Sequence, residues 1–223
     1  MQGVALMKYS IKIVFIASTL ILLQPSCGRD RRPGGGDAAT QSANGGGPPT
    51  LIHEEGAEGP VSTDPHPDNC GPSDIAAVNT IAACPSLVGK AVPSEGDCFV
   101  ASTLTPIWNN EPPSSGPMYG MPNWQWGEHT EVVPRGTWVH NLAHGFIVVT
   151  YNCPNGCDAE LASVRKVLAA KRGFRLLMTP DPLLTSVRFA ALAWTYVYTF
   201  DTPNEAALAC FIDQHEKQGV HGR

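Results

Sequence analysis

The feature that most limits how this chain can fold is a stretch rich in glycine and proline, residues 28–66. It contains two triple-glycine runs and a Pro-Pro pair, and it has few large apolar side chains. Such a stretch cannot bury enough apolar surface to offset the conformational entropy that it would lose on folding. We therefore expect a flexible tether over residues 27–66 and a folded domain over residues 67–223.

The composition of the whole chain narrows the class of protein further. Hydrophobic residues make up 43% of the 223 residues, which is close to the globular average and argues against disorder of the entire chain. The net charge is -5, so the chain offers no basic surface for nucleic acid. Neither a Gly-X-Y repeat nor a heptad array is present, which excludes collagen and coiled coils.

The amino terminus has the pattern of a secretory leader. An apolar run of 11 residues, 13–23, follows Lys8 and Lys12, and no acidic residue occurs before Asp30. A basic segment followed by a short apolar core is typical of a signal peptide, and the run is too short to span a bilayer. We expect residues 1–26 to be removed and the protein to be exported to the bacterial cell envelope.

Cys27 directly follows this leader and resembles the acylated cysteine of a bacterial lipoprotein. The usual leucine three residues before the cysteine is Gln24 here, and the small residue two before it is Pro25. We expect a lipid anchor on Cys27 that holds the protein to a membrane. The alternative is ordinary cleavage nearby, with Cys27 removed or left as a free thiol.

The spacing of apolar residues predicts both strands and helices in the folded domain. The predicted strands are 146–151, 174–179 and 188–200, the last of these a long strand or a bent pair, and the predicted helices are 75–83, 158–171 and 204–217. Residues 138–151 as a whole look extended, and residues 93–134 are irregular and rich in proline, glycine and tryptophan. We expect an α+β fold: after the irregular segment, a small mixed or antiparallel sheet with helices packed on one face.

Six cysteines remain when Cys27 is set aside, and an even number in an exported protein predicts three disulfides. They are Cys70, Cys84, Cys98, Cys153, Cys157 and Cys210. Cys153 and Cys157 flank Pro-Asn-Gly, a turn sequence, so we expect these two to be bonded. The other four can pair in several ways, of which Cys70–Cys84 with Cys98–Cys210 is one. A redox or metal site at Cys153 and Cys157 is the alternative, but the CxxxC spacing differs from the CxxC of thioredoxin-like sites.

Residues 111–151 hold the densest group of side chains able to bind a metal. The group consists of Met118, Met121, His129, His140 and His144. The last two are four residues apart, so on a helical turn they would share a face, and two histidines supply half of a metal site. The alternative is that one imidazole is hydrogen-bonded in the core and the other lies on the surface.

Three blocks of this chain resemble the DUF3105 family, a domain of unknown function. They are EPPSSGPMY at 111–119, Trp126-Gly127, and VHNLAHG at 139–145 followed by VVTY at 148–151. The family pattern reads PPTSGPHY, then WG, then VHNLEHGxVVxxY, and the resemblance covers about residues 93–219. It implies an exported or membrane-anchored bacterial protein, and it implies no activity.

Two departures from the family pattern bear on chemistry. The family's histidine after SGP is Met118 here, and its glutamate between the two histidines is Ala143. Because a thioether is a soft ligand, the set His140, His144 and Met118, with Met121 or His129, favours Cu(I). The missing glutamate removes a general base and argues against a hydrolase.

We therefore expect an envelope lipoprotein that binds copper and is not an enzyme. A metal-independent structural or interaction domain is the second hypothesis, with the two histidines of 139–145 hydrogen-bonded to the PPSSGP loop. A degenerate hydrolase is the third; it would combine Ser114 or Ser115 with a histidine and Asp181, but no GxSxG motif is present. The last four residues, 220–223, are expected to fray.

Overall fold

The structure is a computed structural model that describes residues 51–52, 57, 59–67, 70–71, 73–122, 125–171 and 175–221. The predicted leader, Cys27 and the first part of the predicted tether lie outside these residues. The described residues form three helices and two sheets, so the fold is α+β, as the sequence predicts.

The elements follow one another along the chain in this order. They are β1 (Leu51–Ile52), β2 (Val61–Ser62), β3 (Lys90–Ala91), β4 (Asp97–Val100), β5 (Gly116–Tyr119), β6 (Gly127–Glu128), α1 (Arg135–Ala143), β7 (Ile147–Tyr151), α2 (Asp158–Lys171), β8 (Leu176–Pro180), β9 (Phe189–Ala193), β10 (Tyr196–Phe200) and α3 (Glu205–His215). The larger sheet has the strand order β3-β10-β9-β7-β8-β6, and the smaller has the order β1-β2-β4-β5. Both sheets are mixed, since β7 is parallel to β8 but antiparallel to β9, and β2 is antiparallel to β1 but parallel to β4.

The larger sheet is covered on both faces, and its buried side chains alternate between two apolar clusters. In β7, Ile147 and Val149 pack with α2 and α3, whereas Val148 packs with α1. We call these the helix-pair face and the α1 face. The prediction that all helices lie on one face is therefore wrong, because residues predicted to be extended form the helix α1 on the opposite face.

The segment predicted to be extended before β7 is the helix α1. Seven of its nine residues are buried, so its sequence has no polar stripe to reveal a helical period. The strand that follows it is confirmed at Ile147–Tyr151. The bent pair predicted at 188–200 is confirmed as β9 and β10, which turn at Trp194 and Thr195, where Thr195 adopts φ 60°.

The helix predicted at 75–83 is absent, and the segment runs in irregular conformation along α3. The Asn79 N–H donates to the carbonyl of Gln214 (2.7 Å), and its side-chain amide donates to the carbonyls of Asp213 and Glu216. These bonds satisfy the last turn of α3, which explains why the segment follows that helix instead of forming its own.

Two short strands lie inside the stretch predicted as tether. Val61 and Ser62 pair with β1 on one side and with Phe99 and Val100 of β4 on the other. Val61 is fully buried, so apolar burial extends the folded part beyond the predicted boundary at residue 67. The prediction that all of residues 28–66 lack regular structure is wrong at this point.

Three disulfides crosslink the described residues. Cys153–Cys157 is bonded as predicted, whereas the other pairs are Cys70–Cys98 and Cys84–Cys210. The pairing Cys70–Cys84 assumed a helix between them, and the path along α3 instead brings Cys84 beside that helix. Among the described residues, no helix is long and apolar enough to cross a membrane.

Candidate metal centre

Three imidazoles converge at the carboxyl end of α1. They belong to His140, His144 and His221, and one nitrogen from each lies within 4.8 Å of the others. His140 is fully buried, and the other two are partly buried. We call this group the three-histidine cluster.

The helix α1 places the first two of these histidines. Their spacing of four residues puts both on one face, and their Nε2 atoms lie 3.2 Å apart. The helix ends at Ala143, with His144 as its C-cap residue, and Gly145 then adopts φ 75° and donates its N–H to the carbonyl of Leu142. Arg175 donates to the backbone carbonyl of His144 at 2.6 Å, a hydrogen bond at this helix end.

The third histidine is carried by the segment after α3, which folds back over α1. The Lys217 N–H donates to the Gly145 carbonyl at 2.8 Å, and the His221 N–H donates to the Ala143 carbonyl at 2.9 Å. Between them, Gly219 lies so close to α1 that a Cβ would collide with the Ala143 carbonyl oxygen. The prediction of a frayed tail is therefore wrong as far as residue 221.

Hydrogen bonding fixes the tautomer of His140. Its Nδ1 lies 2.7 Å from the carbonyl oxygen of Tyr119, and because a carbonyl only accepts, Nδ1 must carry the proton. In the neutral ring this leaves a lone pair on Nε2, which points towards His144. An imidazole whose far nitrogen donates to a backbone carbonyl is the arrangement typical of metal-binding histidines.

A carboxylate holds His221 in the corresponding way. The two oxygens of Asp97 lie 2.8 Å and 3.0 Å from Nε2 of this histidine. This contact leaves Nδ1 as the ring nitrogen able to bind a metal. A carboxylate behind a ligating imidazole orients the ring and makes its other nitrogen more basic.

Aromatic side chains border the cluster. The Phe99 ring centroid lies 5.1 Å from that of His140 and 5.6 Å from that of His221. Tyr119 donates its hydroxyl to the carbonyl of Leu104 at 2.7 Å, and burial raises the pKa of this phenol. The phenol is therefore neutral at physiological pH. Tyr119 contacts the cluster through its backbone carbonyl, which accepts from His140.

Of the other predicted ligands, one is buried in the core and two lie closer to the surface. Met118 is fully buried in the apolar cluster of the α1 face, in register with Phe99. Met121 is half exposed, and Nε2 of His129 lies 2.8 Å from the carbonyl of Gln125 near the edge strand β6. The structure thus brings His140 and His144 together with a histidine that the sequence did not single out. This lone histidine, far along the chain from the other two, has no spacing in the sequence that indicates a ligand.

Two residues of the hydrolase hypothesis, Asp181 and Ser115, have structural partners. Both Asp181 and Glu111 bind Arg135, with shortest contacts of 2.8 Å and 2.6 Å. Burial alone would lower the pKa of Arg135, but its hydrogen bonds to these two carboxylates outweigh burial and raise it. The Ser115 hydroxyl accepts the N–H of Glu95 at 2.9 Å. This ion cluster ties the PPSSGP loop to the start of α1.

Comparison with known proteins gives a family and no function. The family DUF3105, described as a protein of unknown function, matches residues 105–222. No curated protein and no solved structure matches the chain. The family match spans 118 of the 223 residues and includes all three histidines of the cluster. The chain therefore belongs to the DUF3105 family.

Proposed function

We propose that this protein is an exported, lipid-anchored member of its family that binds one copper ion at the three-histidine cluster. The observation that carries the proposal is the convergence of three imidazole nitrogens within 4.8 Å. Two of these imidazoles have a backbone carbonyl or a carboxylate behind them, as metal-binding histidines do. Three protein ligands leave a fourth position for water or a further ligand.

The chemistry of the ligands supports copper. Imidazole suits copper, zinc, iron and nickel, whereas magnesium and calcium require oxygen ligands. Among the divalent ions, copper binds a given nitrogen site most tightly. The preference for copper therefore follows from the imidazoles and does not require the predicted thioether ligands. Met118 is our proposed additional ligand, because it directly precedes Tyr119, whose carbonyl holds His140.

Titration of the metal-free protein with copper tests this proposal. With the disulfides intact, we expect uptake of about one ion per chain, measured by calorimetry and by metal analysis after gel filtration. His144→Gln should lower the affinity by more than the 10- to 100-fold that loss of an outer hydrogen-bond partner typically causes. His129→Gln is the matched control and should leave uptake unchanged. Met118→Leu should weaken binding if the thioether is a ligand.

A metal-independent structural role is the second candidate function. It is favoured by the burial of His140 and by its hydrogen bond to Tyr119, since both would hold α1 against β5 without a metal. Absence of copper and zinc uptake by the folded protein would support this alternative. So would a loss of stability in His140→Gln that is the same with and without added metal.

The anchor on Cys27 is a separate part of the proposal. The disulfides among the described residues are consistent with an oxidising, exported location. Mass spectrometry of the mature amino terminus should find an acylated cysteine, and Cys27→Ala should move the protein from the membrane to the soluble fraction. An unmodified amino terminus at another residue would contradict lipid anchoring without affecting the metal site.

A further inference from the structure

We infer that Asp97 is a positioning residue that makes the three-histidine cluster selective for a divalent ion, Cu(II) over Cu(I). The inference rests on the proposed function, because it concerns the same site. It differs from the expectation that a methionine ligand would favour Cu(I).

The Asp97 carboxylate is hydrogen-bonded directly to His221, one of the proposed metal ligands. Both carboxylate oxygens lie within 3.0 Å of Nε2, so the proton on this nitrogen is shared with an anion. The negative charge makes the other ring nitrogen, Nδ1, a stronger donor to a metal. The Asp97 side chain is 30% exposed, so its charge is only partly screened by water.

The backbone holds Asp97 in place independently of any metal. It is the first residue of β4 and pairs with Gly116 of β5. Its N–H donates to the carbonyl of Cys70 at 2.8 Å, and the next residue, Cys98, is bonded to that same cysteine. The Asp97 carboxylate therefore already contacts His221 in a structure that contains no metal.

The charge of the ion then determines how much Asp97 contributes. The Coulomb energy between a carboxylate and a dication is twice that between the same carboxylate and a monocation at equal distance. The ligands themselves are neutral imidazoles, so they do not compensate this charge. Arg175 is a neighbouring cation, and it donates to the backbone carbonyl of His144. Removing the carboxylate must weaken Cu(II) binding more than Cu(I) binding.

Comparison of Asp97→Asn with the unaltered protein tests this inference. Affinities for Cu(II) and Cu(I) are measured by chelator competition, and the midpoint potential of bound copper is measured by redox titration. We expect Cu(II) affinity to fall about 10- to 100-fold, as loss of an outer carboxylate typically causes, with a smaller fall for Cu(I). The midpoint potential should rise by about 59 mV for each tenfold change in the affinity ratio.

Two control variants separate charge from structure. Glu128→Gln removes a carboxylate that pairs with Arg165 at another edge of the protein, and it should leave both affinities and the potential unchanged. Asp97→Glu keeps the charge and should restore most of the Cu(II) preference. Equal losses of Cu(I) and Cu(II) affinity in Asp97→Asn, or an unchanged potential, would overturn the inference while leaving copper binding intact. If the unaltered protein binds neither ion, the proposed function itself is wrong and the inference falls with it.

Discussion

The two faces of the larger sheet are built in different ways. The helix-pair face is an apolar core between the sheet and the helices α2 and α3, and Cys84–Cys210 crosslinks it at α3. The α1 face is also apolar at its centre, but polar groups lie at both ends of its helix. Arg135 binds two carboxylates at the start of α1, and the three-histidine cluster lies at its end. We therefore expect the first face to contribute mainly to stability and the second to hold the proposed metal site.

Two buried histidines show this difference most clearly. His215, on the helix-pair face, is 1% exposed and His140 is fully buried. The ring of His215 packs against Tyr196 and Phe211, and its Nε2 lies 3.0 Å from the carbonyl of Val88. His140 instead faces a second imidazole. Burial alone therefore does not mark a candidate ligand, whereas a ring nitrogen directed at a second imidazole does.

The largest expected effect is on the helix-pair face. The double variant Cys84→Ala/Cys210→Ala opens a loop with a sequence separation of 126, and in the chain-entropy model it should lose about 5 kcal/mol of unfolding free energy. Cys153→Ala/Cys157→Ala, with a separation of 4, should lose only about 2 kcal/mol by the same relation. Urea unfolding measures both. Copper affinity of the folded proteins should be unchanged, and a parallel loss of affinity would break the proposed separation of the two faces.

Replacing each of the two buried histidines separately tests whether the two faces have different roles. His215→Gln should lower the unfolding free energy by about 1–3 kcal/mol, because it disturbs a buried hydrogen bond. It should leave copper uptake unchanged. His140→Gln should abolish tight copper uptake in a protein that is still folded by circular dichroism. Copper binding that survives in His140→Gln but not in His215→Gln would reverse the assignment.

A smaller decrease in the unfolding free energy is expected at low pH. Burial lowers the pKa of His215, and its hydrogen bond to the Val88 carbonyl only partly opposes this shift. The unfolded chain takes up a proton near the ordinary histidine value of about 6.5, and the folded protein does so only at lower pH. The unfolding free energy should therefore be fully retained above the unfolded-state pKa of about 6.5. It should decrease as the pH falls below that value. Urea unfolding at several pH values should show a shallower decrease in His215→Gln; identical curves would contradict this origin of the acid sensitivity.

The sequence predicts the helix-pair face better than the α1 face, for physical reasons. In α2, Leu161, Val164 and Val167 are buried while the rest of the helix is largely exposed, so its periodicity is visible. The helix α1 is buried on nearly all sides and therefore resembles an extended buried segment. The four-residue spacing of His140 and His144 nevertheless indicates both as candidate ligands.

The third histidine and the disulfide pairing depend on long-range contacts. His221 reaches the cluster through backbone hydrogen bonds to Ala143 and through the close approach of Gly219, and neither leaves a periodic pattern in the sequence. The pairing of Cys84 with Cys210 likewise depends on the path of residues 75–83 along α3. Local propensity favoured a helix there, and the bonds of Asn79 to the end of α3 determine the observed path.

X-ray absorption spectroscopy of the copper-loaded full chain tests the central claim most directly. We predict three imidazole nitrogens at about 2.0–2.1 Å, the distance typical of imidazole on a zinc-sized ion, and two imidazoles in His221→Gln. An unchanged imidazole count in His221→Gln would contradict the three-histidine cluster as the metal site. So would a copper ion with a sulfur ligand at about 2.3 Å and fewer than three imidazoles.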